Sequence, residues 1–349
     1  MSLTSKSPRT VALVALRVGR QVYPDYPHRF APKVFTQPQL FACLVLKTFF
    51  RTDYRGIEAY LRDLPELGRV LELPRIPDHS TLHKAVRRLF GQAMTDRTLT
   101  ASVKLMMGKS DRIKRLAVDG SGYEARHVSR YFVRRRDRTW KTSAKWQTTT
   151  YRRWPKQALA VDADRHLIVA TRPMRGPCPD IKHVQQVVGR AWMHWQIDTV
   201  YADAGYDAEW VHAWLREDLG VRGLIPPKIG RPTRKPPSGR WRRWMSEHLD
   251  GTDYGQRWQV ETVFSMIKRN LGDAVNATNY WSQCRALNLL AVTHNVMVGL
   301  RLKRFSTEHV ALNFRLDDPC LAALQGRQFA VDADGLAREV ARANPWLAW

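Results

Sequence analysis

From Gln37 to Leu89 the apolar positions recur at helical spacing. "QPQLFACLVLKTFF" reads as an apolar helix and "YRGIEAYLRDL" as an amphipathic one. "PDHSTLHKAVRRLF" starts a third, with Ser80 or Thr81 as its N-cap and Arg87 and Arg88 near the helix end that favours cations. After Lys114 the period shortens to two. "RLAVDGSGY" predicts a strand that ends in Asp119 and breaks at a Gly-Ser-Gly turn. "KQALAVDADRHLIVATRP" predicts a β-hairpin turning at Asp162 to Asp164, and "DIKHVQQVVGRAWMHW" a helix capped by Asp180. "IDTVYADAGYD" repeats the first strand's plan, closed by Asp203 and a glycine. Asp207 reads as the N-cap of the helix "AEWVHAWLRED", and "VRGLIPPK" supplies a further strand.

This order predicts an α/β core with a mixed sheet flanked by helices, spanning residues 111–304. A helical region, 1–110, precedes it, and a tail, 305–349, follows with no readable motif. The three helices before Leu89 suit a helix-turn-helix that reads DNA, and they suit a plain small bundle equally. Ligands of open α/β sheets gather outside strand ends, where Asp119 and Asp203 are expected.

The last predicted core helix begins "YGQRWQVETVFSMIKRN" at Tyr254. At 100° per residue, Tyr254, Arg257, Glu261 and Lys268 share a sector of about 60°. Val260, Phe264, Ile267 and Leu271 fill the neighbouring arc, so the polar stripe lies at the rim of the core. An ordinary i,i+4 ion pair accounts for Arg257 and Glu261 but gives no task to Tyr254 or Lys268. A stripe about 21 Å long suits a helix laid along a phosphate backbone.

Charge sharpens the picture. Lys and Arg number 57 against 32 Asp and Glu, a net charge of +25, which points to a polyanionic partner. No apolar run is long enough to cross a membrane, and "VALVAL" is too short for the core of a signal peptide. A cytoplasmic, nucleoid-associated protein that binds double-stranded DNA is therefore expected. Cys43, Cys178, Cys284 and Cys320 form no CxxC pair, which argues for reduced thiols and against a structural zinc.

Two basic runs flank the aspartates. Residues 126–156 hold eleven Lys and Arg, one acidic residue and six aromatics, a mixture suited to phosphate contact with stacked bases. Residues 228–243 hold seven basic residues and no acidic ones, with enough Pro and Gly to predict an irregular loop. A charge run is ordinarily a solvated face. Two runs around one pair of aspartates instead nominate Arg134, Arg135, Arg136 and Lys141 in the first, and Arg231, Arg234, Lys235, Arg240, Arg242 and Arg243 in the second, as DNA contacts.

Glu261 is out of place among phosphate-seeking groups unless a cation lies between it and DNA. Mg²⁺ takes oxygen ligands and is held by one or two carboxylates together with substrate phosphates. Two such ions, with Mn²⁺ as a substitute, would serve an in-line displacement at phosphorus. Asp119, Asp203 and Glu261 have the chemistry to hold them. Asp162 and Asp164 belong to a turn, and His127, His183 and His294 form no HxH or HExxH pattern, so core or DNA-contact roles suit them better.

Tyr254, Arg257, Glu261 and Lys268 fit Y-x2-R-x3-E-x6-K, and in this the chain resembles DDE transposases of bacterial and archaeal insertion sequences. "LAVDGSG" around Asp119 and "YADAGYD" around Asp203 look like that group's first two acidic motifs, and "PDHSTL" like the end of its N-terminal helical region. The resemblance covers about Gln37 to Leu300. It implies an RNase H-like core, Asp119, Asp203 and Glu261 as catalytic metal ligands, and Tyr254, Arg257 and Lys268 on the transposon-end phosphates. It further implies cleavage at terminal inverted repeats, joining of the 3′-hydroxyls to a target by transesterification, and a homodimer or higher multimer on DNA. Only a small insertion fits between Asp203 and Glu261. Two other readings remain: a non-catalytic or domesticated DNA-binding protein, and a tyrosine recombinase, whose Arg/His cluster has no counterpart here.

Overall fold

The structure, a computed structural model, describes residues 5–125, 154–228 and 236–299. Arg134, Arg135, Arg136, Lys141, Arg231, Arg234, Lys235, His127 and the tail 305–349 lie outside the described residues. The strands are β1 (Arg112–Gly122), β2 (Glu124–Ala125), β3 (Trp154–Asp162), β4 (Leu167–Gly176), β5 (Gln196–Tyr201), β6 (Arg222–Leu224) and β7 (Ala274–Val275). Five of them form one sheet in the order β4-β3-β1-β5-β6. β1 runs antiparallel to β3 and parallel to β5. This is the expected mixed sheet, compatible with an RNase H-like core. β1 is central because Leu116, Ala117 and Val118 are all buried, leaving neither face of the strand to solvent. The hairpin turns where predicted: the Asp162 carboxylate accepts from the backbone N–H of Asp164 at 3.0 Å and of Arg165 at 3.3 Å.

The helices are α1 (Pro8–Val22), α2 (Gln37–Phe49), α3 (Tyr54–Asp63), α4 (Pro65–Val70), α5 (His79–Leu89), α6 (Gln92–Met107), α7 (Val184–Trp192), α8 (Glu209–Ala213), α9 (Arg240–His248), α10 (Trp258–Leu271) and α11 (Tyr280–Gly299). No helix among the described residues is long and apolar enough to cross a membrane. The described residues all fall in one compact unit. Val103, Met106 and Met107 of α6 sit in the same apolar core as β1 and β4, so the helical N-terminal segment is packed into the sheet's own core.

Three predicted caps move. The α5 N-cap is Asp78, whose Oδ1 accepts from Ser80 N at 2.8 Å, in place of Ser80 or Thr81. Asp180 caps no helix: it lies in a 3₁₀ turn, Asp180–His183, and its carboxylate goes to Lys156. Asp207 is likewise not the N-cap of α8, since Ala208 occupies that position. Its side chain is fully buried and accepts from Lys228 N, His212 and Arg242.

The end of the basic run 228–243 is also corrected, from irregular loop to the start of α9. The helix begins after Gly239, at φ +99°, where an added Cβ would collide with Glu209. The Glu209 carboxylate accepts from Trp241 N at 2.9 Å and Arg242 N at 3.1 Å, satisfying orphan donors that the local sequence cannot cap.

α11 closes the core over the outer strand β4. Buried Asn295 accepts from Ile168 N at 2.8 Å and donates to Ile168 O at 2.8 Å and to Ser102 Oγ at 3.0 Å. Its neighbour His294 is wholly buried; burial pushes the imidazole down to about 4, so it is a neutral core residue bonded to the His166 carbonyl. Replacing Asn295 with Ala strands both polar groups of the Ile168 peptide and is expected to cost roughly 2–3 kcal/mol. Urea denaturation measures this, and a loss within the error of the method would contradict the bridging role.

Candidate active site

Strand register places the two aspartates. β1 and β5 are parallel, with Ala117 opposite Tyr201. Two residues further along, the chains reach Asp119 and Asp203, at one level on neighbouring strands about 4.8 Å apart. Pairing has ended by Asp203, but its backbone remains extended, at φ −79° and ψ 174°. Its carboxylate accepts from Gly205 N at 2.9 Å and so caps the 3₁₀ turn Ala204–Tyr206. Asp119 Oδ1 accepts from Gly120 N at 2.7 Å. Pairing between these two parallel strands has ended by this level, beside the point where the sheet changes direction; β1 itself, expected to break at Gly120-Ser121-Gly122, instead runs on to Gly122 against β3.

α10 brings in the remaining residues. Tyr254–Arg257 is a 3₁₀ turn, so the regular helical wheel holds only from Trp258. Tyr254 is held by its hydroxyl, which donates to the Ala202 carbonyl at 3.2 Å, beside Asp203. Arg257 makes the ordinary pair with Glu261, Nη2 to Oε1 at 2.6 Å, and turns Nη1 toward Asp119 Oδ2 at 3.7 Å. One guanidinium therefore bridges the glutamate of α10 and the aspartate of β1. Lys268 Nζ donates to Ser121 Oγ at 2.8 Å and lies 5.4 Å from the centroid of the Tyr123 ring. The buried stripe Val260, Val263, Phe264, Ile267 and Leu271 fixes this orientation.

The Asp119 carboxyl, 19% exposed, is pushed up to about 6. Burial is the main cause; the charges of Asp203 and Asp180 add to it, while the Gly120 N–H and Arg257 oppose it. Tyr254 is raised by burial, with Asp203, Asp119 and Glu261 acting in the same direction and Arg257 against. Asp119 thus lacks sufficient positive charge beside it, and the all-oxygen donor set of Asp119, Asp203 and Glu261 suits a hard divalent cation. Among the described residues, the group whose ligand atoms lie within 4.8 Å of one another is a different one, Glu58, Asp78 and His79. Those oxygens are already occupied: Glu58 accepts from Arg62 and from His79 N and Nδ1, and Asp78 caps α5. That cluster is a helix start. Asp119 and Glu261 are instead held apart by the Arg257 guanidinium.

Asp180, expected only as a helix cap, and Tyr206, not singled out in the sequence, also belong to this neighbourhood. Asp180 raises the Asp119 carboxyl, and Tyr206 is raised by burial and by the charges of Asp180, Asp119 and Asp203. An aspartate after "GPCP" reads as a cap, and a tyrosine after a glycine reads as core, so neither carried a signal.

The described basic positions divide. Arg240 and Arg243 are exposed, whereas Arg242 commits its guanidinium to Asp207, with Nε to Oδ1 at 2.9 Å and Nη2 to Oδ2 at 2.6 Å. Trp258, next to Arg257, is 64% exposed. Past the C-terminal end of α10 lies a cleft of about 550 Å³ lined by Lys47, Arg51, Tyr54, His83, Arg87 and Arg285, among others.

Comparison with curated proteins gives no match. A family model does match: residues 111–296 fit the model described as "Transposase DDE domain". That span runs from the residue before β1 into α11 and contains Asp119, Asp203 and Glu261, which the register and the Arg257 bridge bring to one end of the sheet. With more than half of its 349 residues matched, the chain belongs to the DDE-domain transposase family.

Proposed function

We propose that the protein binds the terminal inverted repeats of an insertion sequence, cleaves the DNA there, and joins the freed 3′-hydroxyls to target DNA. The observation that carries this reading is the Arg257 guanidinium, which links Glu261 to Asp119 at the level of Asp203. Asp119, Asp203 and Glu261 would hold two Mg²⁺ ions, or Mn²⁺ in their place. When bound, the ions would supply activation of the attacking oxygen and neutralisation of charge at phosphorus. In the first step water attacks the phosphodiester at the element's end and the 3′-oxygen leaves as a hydroxyl. In the second that hydroxyl attacks a target phosphodiester, so one P–O bond forms for each one broken.

The chain's own cations do the holding. Arg257 neutralises Glu261 and Asp119 until the ions arrive, and its donors can then pass to a phosphate. Lys268 takes a neighbouring phosphate, whereas Tyr254, whose hydroxyl donates to the Ala202 carbonyl, contributes by fixing the turn that leads into α10. Exposed Arg240 and Arg243, with Arg134, Arg135, Arg136, Lys141, Arg231, Arg234 and Lys235, extend the DNA contact, whereas Arg242 anchors α9 to Asp207. The N-terminal helices contribute through the cationic cleft, about 15 Å along α10 from Glu261. A homodimer or larger assembly would bring two ends together. A tyrosine recombinase is disfavoured by Tyr254, whose hydroxyl is spent on the Ala202 carbonyl and whose pKa is raised by burial.

Replacement of Asp119, Asp203 or Glu261 by Ala is expected to lower Mg²⁺-dependent cleavage of linear DNA carrying the element's ends by at least about 10³-fold. End binding in a gel shift should persist. Wild-type nicking by Glu261→Ala removes that residue from the triad. Gel shift without cleavage by the wild-type protein, in any divalent metal, favours a DNA-binding role alone. For Lys268→Ala, end binding weakens and the slope of log affinity against log salt becomes shallower by about 1; an unchanged slope excludes a phosphate contact.

Asp119 also sets a pH dependence. Its folded-state value, about 6, lies above the ordinary 3.8, so the metal-free fold has the full benefit of the protonated group below pH 4 and loses it as pH rises through 6. The rise corresponds to roughly 3 kcal/mol at most. Asp119→Asn cannot ionise and should gain stability over the wild type across that interval. Urea midpoints in EDTA from pH 4 to 7 test this, and a pH-independent difference between the two proteins contradicts it.

A further inference from the structure

Gly120, immediately after Asp119, has an ordinary strand conformation, so no turn requires glycine there. Space does. A Cβ at this position would collide with all three atoms of the Asp180 carboxylate group, which lies against the β1 backbone at Gly120. The carboxylate is also paired from β3. Lys156, opposite Gly122 in the β1 register, donates to Asp180 Oδ2 at 2.7 Å and to the Cys178 carbonyl at 2.9 Å. The other oxygen, Oδ1, is buried and has no hydrogen-bond partner.

A second, independent feature points into the same space. Tyr206, on the 3₁₀ turn that Asp203 caps, is only 1% exposed, and its hydroxyl also lacks a partner. The charges of Asp180, Asp119 and Asp203 all act on it. A buried hydroxyl and a buried carboxylate oxygen left unpaired each cost on the order of 1–3 kcal/mol. A phenylalanine at 206 would avoid the first penalty and keep the packing. Two such groups beside one set of carboxylates are accounted for if a cation and its oxygen shell belong there.

We propose that Asp180 and Tyr206 complete the cation site, Asp180 as a fourth carboxylate beside Asp119 and Asp203, and the Tyr206 hydroxyl as a neutral donor to the oxygens gathered around it. The inference rests on the assignment of Asp119 and Asp203 as ligands of divalent ions. It differs from a structural ion pair in one respect: a pair that merely pinned residues 176–183 would leave cation affinity unchanged when broken. Gly120 then has a reason to be glycine, and Lys156 balances the extra negative charge in the metal-free protein.

Titration of the full-length protein with Mn²⁺, followed calorimetrically and by electron paramagnetic resonance, tests this without DNA or turnover. Asp180→Asn is expected to weaken Mn²⁺ binding about 10-fold. Tyr206→Phe should weaken it a few-fold while thermal stability stays the same or rises, an outcome that packing alone does not produce. Lys156→Met breaks the same ion pair but keeps the carboxylate, and should bind Mn²⁺ at least as tightly as the wild type. Wild-type affinity in both Asp180→Asn and Tyr206→Phe overturns the proposal, as does a loss in Lys156→Met equal to that in Asp180→Asn. Asp119→Asn separates the two levels: if it alone loses Mn²⁺, the triad stands and this extension fails. If it too binds as the wild type does, the assignment beneath both is wrong.

Discussion

The parallel pairing of β1 with β5 is the constraint on which the candidate site depends. Ala117 opposite Tyr201 puts Asp119 and Asp203 at one level, and a slip of one residue would turn one carboxylate to the other face of the sheet. The register is held by burial on both faces, through Leu116 and Val118 on one side of β1 and Ala117 on the other, and through Val200 and Tyr201 in β5. The same ladder decides where α10 must lie, because Tyr254 reaches the Ala202 carbonyl at the end of β5 and Lys268 reaches Ser121 at the end of β1. The sequence of the matched DDE domain is thus read twice, once as a packed sheet and once as a set of addresses for side chains from a distant helix.

That geometry is electrostatically expensive. Burial and neighbouring carboxylates lift Asp119 to about 6, and Arg257, itself only 15% exposed, is the cation placed between Asp119 and Glu261. A structural network would resolve such a cluster with more bases, as Asp207 does by drawing in Arg242, His212 and a backbone N–H. The contrast between Asp207, whose carboxyl is lowered, and Asp119, whose carboxyl is raised, separates a satisfied buried acid from one kept short of positive charge. Sites needed for chemistry are commonly less stable than their surroundings for this reason.

Much of this was legible in the sequence because strands and strand ends leave strong marks. The change of period after Lys114 marked β1, the glycine after Asp203 marked the end of β5, and the apolar stripe of α10 placed Glu261 at the rim of the core, whereas the Gly-Ser-Gly after Asp119 reads as a turn and is strand. Caps were less legible: Asp78, Ser80 and Thr81 are all cap-forming residues within four positions, and only the extended backbone at Asp78 selects it. α9 was hidden because its N-terminal donors are capped by Glu209, about thirty residues earlier in the chain. Asp180 was misread for a similar reason. Its partner Lys156 lies on another strand, and the space it occupies exists only because Gly120 has no side chain.

The excess of positive charge acquires a direction from α10. At 1.5 Å per residue the helix carries the chain about 15 Å from Glu261 to Leu271, where the cleft lined by Lys47, Arg51, His83, Arg87 and Arg285 begins. Lys47 there is already pushed below its ordinary value by burial, with Asp53 acting against the shift, whereas Arg51, His83 and Arg87 beside it are exposed. Gathering them raises the energy of the free protein, and a polyanion crossing the helix relieves it. Acid at one end of α10, a lysine along it and a basic cleft beyond give the helix a charge gradient, and the proposed course of a DNA strand rests on that gradient.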